Sequence, residues 1–213
     1  MTWIAASPGS GAFGAHGLQL QTDLPLLGRA ISGGVLLGTV WVLAFTLRFA
    51  RPWLRIADAR GIAWRAPTQR HAYVLALMLA LALVTLVVAT EMLLPPDPRQ
   101  LTGPMQLLSA SRGTAHVLFI VLAVAVAPPV EEFMFRGVAF AAVARQFGTG
   151  AATLLTTLAF VILHAADKIH YWPGFVLVGC LALAAVFLRL RYRSLWPGIL
   201  LHMTYNGLLV LLT

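Results

Sequence analysis

Two adjacent carboxylates, Glu131 and Glu132, stand at the end of a long apolar run and head the segment Glu131-Glu132-Phe133-Met134-Phe135-Arg136-Gly137. A charge at the centre of a membrane helix costs about 2.5–3.5 kcal/mol on insertion scales, so a chain that keeps one there has a use for it. The other acids fall elsewhere: Asp23, Asp58, Asp97 and Asp167 in tails or connections, and Glu91 near a helix end. Glu132 and Arg136 are four residues apart, acid first, the favourable order for an ion pair on one helical face. Glu131 points about 100° away, because a helix turns once in 3.6 residues. Arg136 then neutralises Glu132, and Glu131 is the carboxylate left to exchange protons.

The histidines sort the same way. His16 lies in a tail, His71 and His170 in loops, and His116 near the start of an apolar run, where packing is expected. His164 closes the run Phe160-Val161-Ile162-Leu163-His164, with Phe160 packed beneath it as structural support. His202 lies inside the last run, and Asn206, four residues on, shares its face. One helical histidine is usually a satisfied core residue. Two of them with two glutamates and an in-register asparagine are expected to converge on one wet cavity, since unpaired polar groups in hydrocarbon are expensive.

These groups need elements to hold them. The chain has 213 residues, 60% hydrophobic and 10% charged, against about 25% charged in soluble domains. That excludes an ordinary cytosolic enzyme and a disordered chain. The net charge of +8 does not indicate a nucleic-acid partner, because the basic residues sit in short blocks between apolar runs. The single cysteine, Cys180, excludes a disulfide framework and a Cys-rich zinc site. Residues 1–28 contain no Lys or Arg, so the basic start of a signal peptide is absent. Gly9 to Gly14 spells GxGxxG, but no strand precedes it and no dinucleotide site is expected.

The expected fold is all-α, a polytopic transmembrane bundle of about six to seven helices with the polar site in the C-terminal half. Apolar runs cover 30–47, 72–94, 114–129, 151–165, 175–188 and 195–213, with 130–147 either continuing the third helix or forming a separate one. Gly34 and Gly38 have a small-xxx-small spacing that permits close helix contact. The organisation reads as a tail (1–28), upstream helices with an Arg-rich loop (29–113), and a core (114–213). Arginines at 48–71 and 189–193 place those loops on the cytoplasmic side of a cell membrane, where they meet anionic headgroups. None of them is a catalytic candidate. One tension remains. At about 1.5 Å per residue, His164 lies about 20 Å from Ala151, at the far end of its span, whereas Glu131 lies near the inner end of the third. Either the fourth span begins deep and tilts, or 131–147 returns into the membrane.

Glu-Glu-x-x-x-Arg, then Phe-x-x-x-His, then His-x-x-x-Asn, each in or beside an apolar helix, resembles the CPBP family of intramembrane proteases. That family includes the type II CAAX prenyl endopeptidases and the bacteriocin-processing and immunity (Abi) proteins. Phe135-Arg136-Gly137 and Ser194-Leu195-Trp196-Pro197 fit its local wording, and the likeness spans about Val117 to the C-terminus. The resemblance implies a peptidase with Glu131 as general base and Glu132 as a second candidate carboxylate. His164 would hold the water or a metal, and His202 and Asn206 would donate to the oxyanion. Arg136 would support the shell. The family is often labelled metalloprotease, which would make Glu131, His164 and His202 ligands of a Zn2+ ion. The chain has no HExxH, so the same groups can equally act as a glutamate-type hydrolase. The expected partner is a peptide or protein substrate, lipidated in the eukaryotic members. The Ala-, Leu- and Arg-rich composition suggests a bacterial source. The alternative is a non-catalytic immunity or scaffold protein that binds a peptide or partner helix in the same cavity. A proton-coupled transporter is a third reading, against which no repeat symmetry is evident.

Overall fold

The structure, a computed structural model, describes residues 61–97 and 112–212 together with scattered positions between 34 and 48. The tail 1–28, most of the expected first span 30–47 and the loop positions 49–60 lie outside the described residues. Among the described residues every regular element is helical: α1 (His71–Leu93), α2 (Gly113–Val121), a π-helical turn (Leu122–Val126), α3 (Ala127–Glu132), a second π-helical turn (Phe133–Ala139), α4 (Phe140–Leu163), α5 (Ala165–Lys168), α6 (Pro173–Tyr192) and α7 (Trp196–Leu212). Three stretches are long and apolar enough to cross a membrane: His71–Leu93, Gly113–Leu163 and Pro173–Tyr192. Trp196–Leu212 is apolar but shorter. The chain is a helical membrane protein.

α1 shows why these helices associate. Ala72, Ala76 and Ala80, at four-residue spacing, are buried together with Val84 and Val87. Small side chains on that stripe let α1 approach α6 and α7 closely. Leu177, Leu181, Ala185 and Leu188 of α6, with Leu201 and Tyr205 of α7, complete the cluster. The opposite face exposes Val74, Met78 and Leu81, an apolar surface suited to lipid.

From Gly113 to Phe147 the chain is one continuous helical rod, so 130–147 continues the third helix. Pro128 and Pro129 do not interrupt it because they occupy the first turn of α3, where a missing N–H costs least. The π-helical turn before them takes up the misfit. The rod breaks at Gly148, whose φ of +83° is open to glycine and strained for other residues. Beyond it the chain runs back alongside itself: Ala144 clusters with Ala152, and Phe135 meets Phe160 edge-on at 5.3 Å. Glu132 and His164 both lie sixteen residues from Gly148, about 24 Å along their helices. The hairpin therefore returns His164 to the depth of the glutamates. The expectation that Glu131 lies near the inner end of a span is corrected: it sits midway along the rod.

A second correction concerns the Arg-rich loop. Residues 61–66 form a strap built into the bundle, with Ile62 and Ala63 buried. The Leu195 N–H donates to the Ala63 carbonyl at 3.0 Å, the Ser194 hydroxyl to the Arg65 carbonyl at 2.5 Å, and Arg65 Nε to the Arg193 carbonyl at 2.9 Å. Trp64 lies against Phe133 and Trp196, with ring centroids 5.3 and 5.1 Å away. Ala63 and Arg193 both take positive φ, +60° and +49°, conformations that persist because the surrounding hydrogen bonds hold them.

Candidate active site

The second π-helical turn, the return limb of α4 and the first half of α7 meet around His202. Its Nδ1 lies 3.2 Å from Glu132 Oε1, and its Nε2 lies 3.8 Å from Glu131 Oε2. Adjacent glutamates on one helix diverge, and they reach the same imidazole because they address its two different nitrogens. Arg136 Nη1 lies 3.2 Å from Glu132 Oε1. The order in space is Glu131, His202, Glu132, Arg136, a run of alternating acid and base.

Burial divides this chain of groups. Glu132 and Arg136 are 1% and 0% exposed, and His202 is 3% exposed, while Glu131 keeps 25% of its side chain accessible. Ion pairs hidden so deeply are retained only when each charge has its partner. Glu132 and Arg136 form a close ion pair whose N–H is not aligned for a hydrogen bond, and the guanidinium lies over the Phe160 ring at 4.1 Å. The second Glu132 oxygen, Oε2, faces the start of α7, where a Cβ added at Gly198 would stand 3.4 Å away. Glycine at that place lets the helix pass close to the carboxylate.

Phe160 is the hub of the aromatic contacts. Its ring centroid lies 4.6 Å from that of His164, 5.9 Å from His202 and 5.3 Å from Phe135. His164 closes α4, and its Nδ1 lies 2.9 Å from the Phe160 carbonyl. A carbonyl can only accept, so Nδ1 carries the proton, and Nε2 is the acceptor of the neutral ring. The structure thus brings Glu131, Glu132, Arg136, Phe160, His164 and His202 together.

Asn206 has a backbone contact besides its expected oxyanion role. It shares the His202 face of α7, but its side-chain amide donates to the Ala123 carbonyl at 2.8 Å. Ala123 lies in the first π-helical turn, Leu122–Val126. Such turns displace carbonyls from the regular helical ladder and leave them for other donors. One amide proton is committed there, and only the second is left for a bound molecule.

Arg189 departs furthest from expectation. Expected among the headgroup-facing arginines, it is 1% exposed. Its Nε donates to the Arg136 carbonyl, in the second π-helical turn, and its Nη2 donates to the Gly61 carbonyl of the strap at 2.6 Å. Its guanidinium also lies over the Phe140 ring at 3.9 Å. The signal was present in the sequence: Arg189 follows Ala182, Ala185 and Val186 on the buried face of α6 at helical spacing. Arg191 and Arg193 are exposed, as headgroup contacts require.

A Zn2+ ion held by Glu131, His164 and His202 finds no support in this arrangement. Among the described residues no group of three or more His, Cys, Asp or Glu side chains is arranged to hold a metal ion. No step is routed through a metal.

Comparison with known families matches residues 113–208 to the family described as Type II CAAX prenyl endopeptidase Rce1-like. No curated protein and no solved structure matches the chain. The matched span opens at the first residue of α2 and takes in Glu131, Glu132, Arg136, Phe160, His164, His202 and Asn206. The helices that carry the site are therefore similar to the family described as Type II CAAX prenyl endopeptidase Rce1-like, a family of proteases.

Proposed function

We propose that the chain is an intramembrane endopeptidase that hydrolyses a peptide bond with a water activated by Glu131. The observation that carries this reading is the asymmetry of the two glutamates. Glu131 is a quarter exposed and 3.8 Å from His202, whereas Glu132 is hidden and paired with Arg136. Glu131 is thus the carboxylate that a water and a substrate can both reach.

In the step we propose, the Glu131 carboxylate takes a proton from a water, and the water oxygen bonds to the scissile carbonyl carbon. The carbonyl electron pair moves onto its oxygen. Its collapse breaks the carbon–nitrogen bond, and the Glu131 proton goes to the departing amine. His202, held by Glu132, orients the Glu131 carboxylate. His164 offers Nε2 to the water, and the uncommitted Asn206 amide proton meets the developing oxyanion. The substrate class is a peptide or protein tail presented at the membrane, with a lipidated tail the form suggested by the family description. The exposed Arg65, Arg145, Arg191 and Arg193, which gather where the hairpin turns and α6 ends, are proposed to face the cytoplasm.

The test incubates the purified chain and Glu131→Gln with prenylated and unmodified candidate peptides, with and without chelator, and reads fragments by mass spectrometry. The expected result is cleavage by the wild type, insensitive to chelator, and a loss of about 10²- to 10⁴-fold in the variant. Equal cleavage by Glu131→Gln would overturn the role of Glu131. Peptide binding without cleavage by either form would favour the scaffold.

A further inference from the structure

We infer that Arg189 is a positioning residue of the site: from a neighbouring helix it holds the π-helical turn that sets Glu132 and Arg136 against His202, and it ties that turn to the strap before α1. The inference rests on the reading of Glu131 as the working carboxylate. Its basis is geometric. Arg189 is buried, and it donates to backbone carbonyls of two separate segments, Arg136 in the turn and Gly61 in the strap. The Arg136 carbonyl is part of the residue whose guanidinium pairs with Glu132. Moving that carbonyl moves the ion pair, and the ion pair sets where Glu132 Oε1 presents itself to His202 Nδ1. The Arg189 guanidinium also stacks on Phe140, the residue that ends the π-helical turn and resumes the α-helix. The strap end of the clamp is itself fixed: Gly61 leads into Ile62 and Ala63, both buried, and Ala63 accepts the Leu195 N–H just before α7 begins.

One guanidinium therefore holds two backbone segments beside the site and stacks on the Phe140 ring. A lipid-facing arginine could be replaced by lysine or methionine with little consequence. A buried clamp with two carbonyl acceptors in fixed directions needs the planar fork of arginine.

The experiment reads the two glutamates directly and does not need turnover. The full chain in lipid nanodiscs is treated with a hydrophobic carbodiimide, which modifies accessible carboxyl groups, and fragment ions assign the label to Glu131 or Glu132. The wild type is expected to label Glu131 at least tenfold over Glu132. Arg189→Met is expected to bring the ratio within threefold, because a released turn lets Glu132 leave Arg136. Val84→Ala, which loosens the α1 cluster without touching the turn, is the control for general destabilisation and should keep the wild-type ratio. Should Arg189→Met fail to fold, Arg189→Gln, which keeps one donor, is read in its place with the same expected collapse of the ratio. A wild-type ratio in the folded variant overturns the inference, as does a collapse in Val84→Ala. If the wild type cleaves no peptide while the ratios behave as stated, the proposed hydrolysis fails and the positioning role stands.

Discussion

The helix that carries Glu131 and Glu132 has a dry side and an open side, and the two are built differently. On the dry side Glu132, Phe133, Arg136 and Phe140 are all but fully buried, and the adjoining backbone is held by the charged, buried Arg189. On the open side Glu131, His164 and Asn206 are half-buried, and the adjoining backbone is held by a neutral amide, that of Asn206 on Ala123. His202 lies on the border, one nitrogen toward each side. The contrast shows where rigidity and access are divided. A buried charge network cannot be loosened cheaply, so it fixes electrostatics. A quarter-exposed carboxylate with one long contact can meet a substrate without disrupting the fold.

The comparison can be broken most severely on the dry side. Arg136→Leu leaves Glu132 buried without its partner, and a loss of about 3–5 kcal/mol is expected. Unfolding of the purified protein in mixed micelles measures it, and a loss below about 1 kcal/mol would show that the pair is not buried as described. Phe160→Ala removes the ring that packs on Arg136, His164 and His202 together. A cavity of that kind costs about 3–5 kcal/mol, and Phe160→Leu should recover most of it in the same assay. Asn206→Ala strips one donor from a π-helical carbonyl, for an expected loss of about 1–2 kcal/mol. Amide exchange confined to residues near Ala123 would locate the loosening, and uniform exchange across the bundle would contradict the local clamp. Glu131→Gln is expected to change stability least, by under about 1 kcal/mol, while abolishing turnover. A large drop in unfolding free energy for this variant would place Glu131 in the dry network and erase the distinction.

The local pairing of the site was readable from spacing alone. Glu132 and Arg136, four apart with the acid first, form the ion pair that this spacing favours. The divergence of Glu131 from Glu132 followed from the same helical geometry. The convergence of His164 was not readable, because it depends on where a helix reverses. The third apolar run ends at Pro128-Pro129, yet a π-helical turn accommodates the pair and the helix continues. The reversal falls instead at Gly148, whose positive φ leaves no mark in hydropathy. Arg189 was misjudged for a related reason: arginines near helix ends ordinarily meet headgroups, and the acceptors that draw this one inward are carbonyls displaced by a π-helical turn.

Composition and periodicity by themselves determined that this is a helical membrane protein and which side chains would be expensive to bury, since hydrophobic cost and helical spacing are properties of local sequence. Only the tertiary structure decided which of those side chains meet, because that depends on one glycine hinge, two widened helical turns and the strap whose Gly61 carbonyl Arg189 holds. Those features are set by contacts between residues far apart in the chain, where one buried donor satisfied or orphaned outweighs the local preference of several residues.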